Sequence, residues 1–198
     1  MKIANFVKAA GAAIAISAMP VIYTPIYANS KTDTFERVVT PAGTTDSLTL
    51  KNAPAPEVDI KGKIHKAVIV VDIERNTLYK YDNEGNAKGA YLVATGAVGT
   101  PTKQRVSVIS HTEKFPYKYA PKNSKRRRNP YPYGANIIVL DKLDPKTGET
   151  SSTGQWIHGN NKVSSLGKQA SHGCVRMDNE VIKQLSQEVK RGDIVLFK

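Results

Sequence analysis

The fold is indicated first by residues 67–81, which read AVIVVDIERNTLYKY. Two runs rich in β-branched and aromatic residues, 67–73 and 77–81, flank the polar connection Glu74-Arg75-Asn76. Such runs are typical of strands, and a short polar connection between them is typical of a hairpin. We therefore predict that the folded domain begins with two paired strands.

Similar apolar runs follow in the rest of the chain, and turn residues such as 82–86 separate them. They lie at residues 90–94, 106–110, 136–140 and 194–197. Short strand-like runs with turns between them indicate a mainly β domain. A chain of 198 residues is long enough for one domain with a proper core and leaves little room for a second.

One segment near the carboxyl end has helical rather than strand-like spacing. Its apolar residues recur at Val181, Ile182, Leu185 and Val189, directly after Asp178, which is a good N-cap. The helix stop signals are Lys190, Arg191 and Gly192. The pattern predicts a single amphipathic helix from about residue 179 to 191 whose apolar face packs on the sheet.

The amino terminus has the features of a secretory signal. Lys2 and Lys8 precede or flank an apolar run of small residues that extends to Met19. Ala18 and Ala28 are both suitable cleavage positions, and we favour Ala28. The alternative is an uncleaved membrane anchor, although Pro20 and Pro25 interrupt the apolar stretch. We thus expect export to the periplasm or cell wall, with membrane attachment only through an uncleaved signal.

The expected order along the chain is a signal peptide (1–28), a linker or extension rich in Ser, Thr and Pro (29–63), and one domain (64–198). The formal net charge is +12, and removal of residues 1–28, which hold two lysines and no acid, leaves +10. Such a charge favours anionic partners such as a wall polymer or a membrane surface. Export makes nucleic acid the least expected partner.

Cys174 is the sole cysteine, so it cannot form a disulfide within the chain. In an oxidising compartment a lone thiol is inert and buried, pairs between chains, or is kept for its reactivity. A catalytic thiol needs a base or a positive neighbour. His158, sixteen positions upstream and next to Trp156 and Gly159, is the preferred base, and His172 is the poorer candidate.

The neighbours of Cys174 suit acyl transfer. Gly173 permits an unusual turn, and backbone amides near it can donate to an oxyanion. Arg176 can hold the loop or bind a substrate carboxylate, and Ser171 begins the segment. Zinc binding by His158, His172 and Cys174 is the alternative, but the spacing matches no common zinc motif.

A long basic and aromatic segment, residues 114–134, interrupts the strands and is called the flap below. It holds four tyrosines, including Tyr133, four prolines and the cluster Lys125-Arg126-Arg127-Arg128. One interpretation is a solvated insertion with ordinary surface charge. The other is a flap that borders a groove and contacts an anionic, sugar-rich or peptide substrate.

The pattern His158-Gly159 followed by SHGCVRM at residues 171–177 resembles the signature of the L,D-transpeptidase catalytic domain, the YkuD-like family. Further similar features are Ala94-Thr95-Gly96, Thr100-Pro101 and 192–195. The segment 102–105 departs from many members because it contains no glycine before the next strand.

The resemblance implies a β-rich, sandwich-type domain that transfers acyl groups on peptidoglycan stem peptides and needs no cofactor. It implies Cys174 as the nucleophile, His158 as the base, and the amides of His172, Gly173 and Cys174 as oxyanion donors. Arg176, Ser171, Gly159, Trp156 and Tyr133 would bind substrate or support the site. The acceptor would be an amine of another stem, an envelope protein or water. A hydrolytic relative and a wall-binding module without activity remain the alternatives.

Overall fold

The computed structural model describes residues 39–40, 43–44 and 50–198. The predicted signal peptide and about half of the predicted linker lie outside the described residues. Within the described part of the chain, no helix is long and apolar enough to cross a membrane.

The domain is built mainly from strands, as predicted. In chain order these are β1 (Val39–Thr40), β2 (Gly43–Thr44), β3 (Glu57–Ile60), β4 (Lys63–Lys66), β5 (Ile69–Asp72), β6 (Thr77–Tyr81), β7 (Ala87–Leu92), β8 (Thr95–Gly96), β9 (Arg105–Lys114), β10 (Asn136–Leu143), β11 (Thr150–His158), β12 (Gln169–Ser171), β13 (Val175–Arg176) and β14 (Ile194–Phe197). The helices are α1 (Lys125–Arg128) and α2 (Asn179–Glu188), with 3₁₀ turns at Tyr131–Tyr133 and Val163–Ser165.

Eight strands form one sheet in the order β13-β11-β10-β9-β14-β5-β6-β7. The hairpin predicted from residues 67–81 is present as β5 and β6, which pair antiparallel. The β5 strand also pairs in parallel with β14, the last strand of the chain. The amino and carboxyl ends of the domain therefore meet at the centre of the sheet.

The sheet curls until its two ends meet. Ala94, which follows the edge strand β7, exchanges two backbone hydrogen bonds with Arg176 of the opposite edge strand β13, at 2.7 and 2.9 Å. The predicted sandwich-type packing thus arises from a single sheet folded back on itself.

The main core lies inside this curl. It is formed by apolar residues from nearly every strand of the sheet and from α2, including Ile69, Ile138, Ile157, Val175 and Ile182. Burial of apolar side chains contributes roughly 25 cal/mol per Å² of area removed from water, so this cluster stabilises the curl. A second cluster, which contains Val70, Tyr79 and Leu196, lies on the other face.

The predicted helix is present as α2, and Asp178 is its N-cap, accepting hydrogen bonds from the N–H groups of Glu180 and Val181. The helix ends at Glu188, earlier than predicted, because Val189 is already extended. Lys190 therefore lies beyond the last turn of the helix. Its N–H donates to the Asp193 carboxylate at 2.7 Å, and this hydrogen bond closes the loop that follows the helix.

Two local predictions need correction. Residues 57–60, assigned to the linker, form β3, which pairs with β4 as a hairpin. The strand runs read from residues 106–110 and 136–140 are longer in the structure, because polar side chains on β9 and β10 face solvent while the backbone pairing continues. The glycine-free segment that follows Pro101 leads into β9 at Arg105.

Candidate active site

His158 and Cys174 lie on the same side of two neighbouring segments. Strands β11 and β13 pair in parallel, with Ile157 opposite Val175 and His158 opposite Arg176. Ile157 and Val175 are fully buried in the main core. Side chains alternate along a strand, so the residues next to these two face away from that core. The thiol and the imidazole therefore share the outer face.

The imidazole of His158 is buried, at 4% exposure, and a backbone carbonyl orients it. Its Nδ1–H donates to the carbonyl of Gly159 at 2.6 Å. Since a carbonyl oxygen only accepts, the neutral ring carries its proton on Nδ1 and leaves Nε2 unprotonated. Burial lowers the pKa of His158 to about 4, with a further decrease from Arg176, and the carbonyls of Gly159 and Tyr133 oppose this.

The thiol of Cys174 is held against two backbone groups of β11. Its Sγ donates to the carbonyl of Gly154 at 3.9 Å, and the N–H of Trp156 donates to the sulfur. Burial raises the pKa of Cys174, and the Trp156 N–H and the charge of Arg176 offset this only in part. The resting site therefore contains a neutral thiol and a neutral imidazole rather than an ion pair.

Gly154 is a site residue that the sequence analysis missed. The register between β10 and β11 shifts next to it, between Val139 and Asp141, and Gly154 has φ +65°. A bulge of this kind re-aims backbone groups beside a site, and a positive φ favours glycine. An isolated glycine in an otherwise strand-like run was the available signal.

The turn before the thiol is closed by Ser171. Its Oγ–H donates to the carbonyl of Cys174 at 2.5 Å and its Oγ accepts from the N–H of Gly173 at 3.1 Å. Gly173 has φ +106°, which favours glycine. Ser171 is buried, at 2% exposure, so its role here is to shape the turn.

The backbone N–H groups of this turn differ in their partners. The N–H of Gly173 donates to Ser171 Oγ in this structure, and its donation to a substrate oxyanion stays a prediction. The N–H groups of His172 and Cys174 have no acceptor among residues 50–198. The His172 side chain is exposed.

Thr102 supports the same turn from the other side and was also missed. Its Oγ1 accepts from the N–H of Gly96 at 2.8 Å and donates to the carbonyl of Gly173 at 3.0 Å. A Cβ on Gly96 would lie 2.2 Å from the carbonyl oxygen of Thr100, so only glycine allows this approach. The turn formed by residues 171–174 is called the cysteine turn below. The segments 94–96 and 100–101, which carry part of the family resemblance, thus support this turn.

Asn179, the first residue of α2, connects three segments around His158. Its Oδ1 accepts from the N–H groups of Ala135 and Asn160 at 3.1 and 3.0 Å, and its Nδ2 donates to the carbonyl of Asn160 at 2.8 Å. A Cβ on Gly134 or Gly159 would lie 2.1 or 2.2 Å from Oδ1. Asn179 therefore fixes the backbone at Gly159, whose carbonyl orients the imidazole.

The flap packs against the outer face that carries the site. Tyr133 lies with its ring 5.4 Å from the ring of His158 and 5.6 Å from that of Trp156. Arg126 lies 5.0 Å from the centre of the Trp156 ring and forms two 2.7 Å hydrogen bonds to the carboxylate of Glu113. The flap is therefore a folded part of the site, with one arginine of the basic cluster used for packing.

The pKa values of Tyr133 and Glu113 reflect burial and the charged groups around the flap. Burial raises the pKa of Tyr133, a charge on Cys174 raises it further, and Arg126 lowers it. Burial also raises the pKa of Glu113, but its hydrogen bonds to Arg126 and His111 outweigh this, so the pKa lies below its usual value. Among the described residues, no group of three His, Cys, Asp or Glu side chains could hold a metal ion.

Comparison with known proteins identifies the family of this chain. Residues 66–196 match the family model named YkuD, the L,D-transpeptidase catalytic domain. The chain belongs to this family. It is 32% identical over 114 residues to the YqjB protein of Bacillus subtilis strain 168, and 30% identical over 125 residues to the YkuD protein of Bacillus licheniformis. Both names assign L,D-transpeptidase activity provisionally.

Both matches cover only part of each protein. They cover 58% and 63% of this chain and 61% of each relative, so the chain spans less than two thirds of the relatives' length. Among solved structures, Bd1075 of Bdellovibrio bacteriovorus superposes with a TM-score of 0.50 and 23% identity, covering 73% of this chain and 52% of that protein. This similarity concerns the fold alone.

Proposed function

We propose that this protein is a peptidoglycan L,D-transpeptidase with Cys174 as its nucleophile and His158 as its general base. The single observation that carries the proposal is the pairing of β11 with β13, from which the His158 imidazole and the thiol of Cys174, the sole cysteine, share one face of the sheet. Membership in the YkuD family supports the reaction class.

In the first step His158 Nε2 removes the thiol proton as the sulfur attacks a carbonyl carbon. The neutral resting pair means that charge separation occurs during attack, when the oxyanion forms, and not before substrate binds. The thiol proton points to the Gly154 carbonyl at rest, so it must rotate toward the imidazole. Such catalytic contacts often tighten only in the substrate complex.

The N–H groups of His172 and Cys174 are the proposed donors to the tetrahedral oxyanion. Both lie in the turn that Ser171 and Thr102 brace. A donor fixed in advance costs no reorganisation during reaction, and one such donor contributes roughly 10²–10³ in rate. Ser171 and Thr102 therefore contribute to catalysis by holding these two N–H groups in place.

Arg176 is the proposed contact for a carboxylate of the substrate. Its guanidinium has no ion pair with an acidic side chain among the described residues. Its charge acts on both Cys174 and His158. An unpaired arginine beside the nucleophile suits bidentate binding of a carboxylate, which a stem peptide carries.

The proposed reaction has two halves. Collapse of the first tetrahedral intermediate breaks the peptide bond to the terminal D-alanine, whose amine takes the proton from His158. The diamino-acid carbonyl is then held as a thioester on Cys174. An amine acceptor attacks this thioester, His158 takes the amine proton, and the thiolate leaves and is reprotonated.

The proposed location is the cell envelope, reached through the signal-like residues 1–28. The substrate is a stem peptide of the wall, and an envelope protein with a free amine is a second acceptor of suitable chemistry. No cofactor enters any of the steps above.

Intact mass spectrometry after incubation with a disaccharide tetrapeptide tests the proposal. The wild-type protein should gain the mass of the acyl group and lose D-alanine, whereas Cys174→Ala should show no adduct. His158→Gln should form the adduct at least about 10² more slowly. Cross-linked dimers among the products indicate transfer, and free tripeptide indicates a hydrolytic relative. Dimer formation by Cys174→Ala would contradict the proposal.

A further inference from the structure

A continuous series of aromatic rings leads from the site to the surface of the flap. Tyr133 lies 5.4 Å from His158, Tyr117 lies 6.4 Å from Tyr133, and Phe115 lies 6.1 Å from Tyr117. Tyr131 ends the series, 5.7 Å from Phe115. Exposure rises outward, from 1% for Tyr117 to 38% for Phe115 and 69% for Tyr131.

The exposed end of this series is held rigidly. Tyr131 is part of a 3₁₀ turn and stands between Pro130 and Pro132, whose ring-fixed φ angles restrict the backbone. Tyr117 anchors the turn, because its hydroxyl donates to the carbonyl of Gly134 at 2.7 Å. A restricted backbone loses little conformational freedom on binding, so this segment is suited to a ligand contact.

The positive charge of the flap does not explain why the rings of Phe115 and Tyr131 are exposed. Arg126 is bound to Glu113, and Arg127 donates to the carbonyls of Lys118 and Ala120. Two of the three clustered arginines therefore stabilise the flap. An anionic polymer would use the cations, whereas a pair of contacting, exposed rings offers apolar faces.

We propose that Phe115 and Tyr131 form a binding surface for the glycan strand of the donor. Pyranose rings present faces rich in C–H groups that stack on aromatic rings, and their hydroxyls stay in water at an exposed site. This inference rests on the proposed function, in which the attacked carbonyl belongs to the third residue of the stem. Three extended residues span roughly 10 Å, so the sugar lies well away from the thiol, on the scale of the three ring-to-ring steps of 5.4, 6.4 and 6.1 Å that lead from His158 to Phe115.

The test compares two donors with the same tetrapeptide, one with its disaccharide and one without. Tyr131→Ala should raise KM for the disaccharide donor about three- to tenfold, as expected for loss of one ring contact. It should leave kcat, and KM for the free peptide, unchanged. Tyr131→Phe should behave as wild type because it keeps the ring.

Tyr119→Ala is the matched control. Tyr119 is fully exposed on the same flap but has no ring contact with the series in the described residues. An equal change of KM for both donors in Tyr131→Ala, or none for either, would overturn the inference. So would a Tyr119→Ala variant with the same selective loss.

A binding measurement separates this inference from the proposed function. Glycan chains freed of stem peptides are titrated into the isotopically labelled Cys174→Ala protein and followed by NMR. Shifts at Phe115 and Tyr131 support the surface even if neither donor is turned over, and the shift at Phe115 should disappear in the double variant with Tyr131→Ala. Absence of shifts at these two residues contradicts it, whatever the outcome of the turnover assay.

Discussion

His158 is the residue in which structure and protonation are most closely linked. Its neutral form is imposed by burial, and its tautomer is imposed by the Gly159 carbonyl. A base with a low pKa is present in its active form at neutral pH but has a weak drive to accept a proton. The protein offsets this by keeping the Arg176 charge close to the sulfur, where it stabilises developing thiolate.

The depressed pKa of His158 predicts a loss of stability in mild acid. In the unfolded chain the imidazole binds a proton near its ordinary pKa of about 6.5, while in the folded protein it does so only near about 4. The contribution is therefore complete above the unfolded value and falls as the pH decreases from about 6.5 to about 4, by on the order of 3 kcal/mol.

Urea unfolding at the two ends of this pH range measures the effect. Carboxylates such as Glu113, whose pKa is lowered on folding, add their own acid sensitivity. The comparison is therefore between wild type and His158→Gln, which cannot titrate at this position. An equal loss of unfolding free energy in both proteins would show that the imidazole is not the group responsible.

Two elements determine where the site residues lie. The helix α2 presents Asn179 to the segments on either side of His158, and the flap covers the face that carries Trp156. Both contacts join residues that are far apart in sequence. The consequence is that the geometry of the site depends on side chains outside the cysteine turn.

Asn179→Ala should disturb catalysis through His158. The change removes all three hydrogen bonds of this side chain, so we expect a loss of about 2 to 4 kcal/mol in unfolding free energy. The rate of acylation should fall by more than the decrease in the fraction of folded protein explains. The specific readout is the ¹⁵N shifts of the His158 imidazole, which should show less of the Nδ1–H tautomer.

Ser186→Ala provides a control for loss of a buried contact of the same helix, because Ser186 accepts from Asn136 Nδ2 at 2.9 Å. We expect it to lower stability while the His158 shifts stay as in wild type. Unchanged imidazole shifts in Asn179→Ala would leave Asn179 with a structural role only.

Arg126→Met should loosen the flap. It leaves the Glu113 carboxylate, 11% exposed, without its two arginine hydrogen bonds, so we expect a loss of about 1 to 3 kcal/mol. Trp156 is the only tryptophan in the chain, and its fluorescence therefore reports the removal of the cation from its ring. Arg128→Met, which changes an exposed cation of the same turn, should leave emission and stability unchanged.

For the domain as a whole, the central feature is a sheet that closes on itself beside the site. The Ala94 and Arg176 backbone pair joins the two edge strands, and the cysteine turn lies directly before this junction. The overall charge of +12 acts on the same molecule at longer range. This net charge raises the local concentration of anionic partners but does not select one of them over another.

Binding to isolated cell walls should therefore weaken with salt. Between about 0.1 M and about 1 M NaCl the Debye length decreases from roughly 10 Å to roughly 3 Å, which screens exposed charges. A sedimentation assay with Cys174→Ala measures binding without turnover. Salt-independent retention of the protein on walls would contradict a role for net charge and favour contacts of the kind proposed for Phe115 and Tyr131.

Much of this domain was predictable from local sequence. The hairpin of residues 67–81, the final strand 194–197 and the N-cap at Asp178 depend on side-chain periodicity and capping, which are short-range effects. Cys174 and His158 stood out for a similar reason, since the chain has one thiol and few histidines. Composition and spacing were sufficient to select them as candidates.

Other features depended on contacts between distant segments. Thr102, Gly154 and Asn179 are ordinary residues in sequence, and their roles come from the turn, bulge and helix end that tertiary packing brings to the site. The hydrogen bond from the Gly173 N–H to Ser171 Oγ likewise depends on the folded turn. The sequence alone determined which groups could react, whereas the curled sheet decided which of them meet, because pairing across a closed sheet is set by register and packing rather than by local preference.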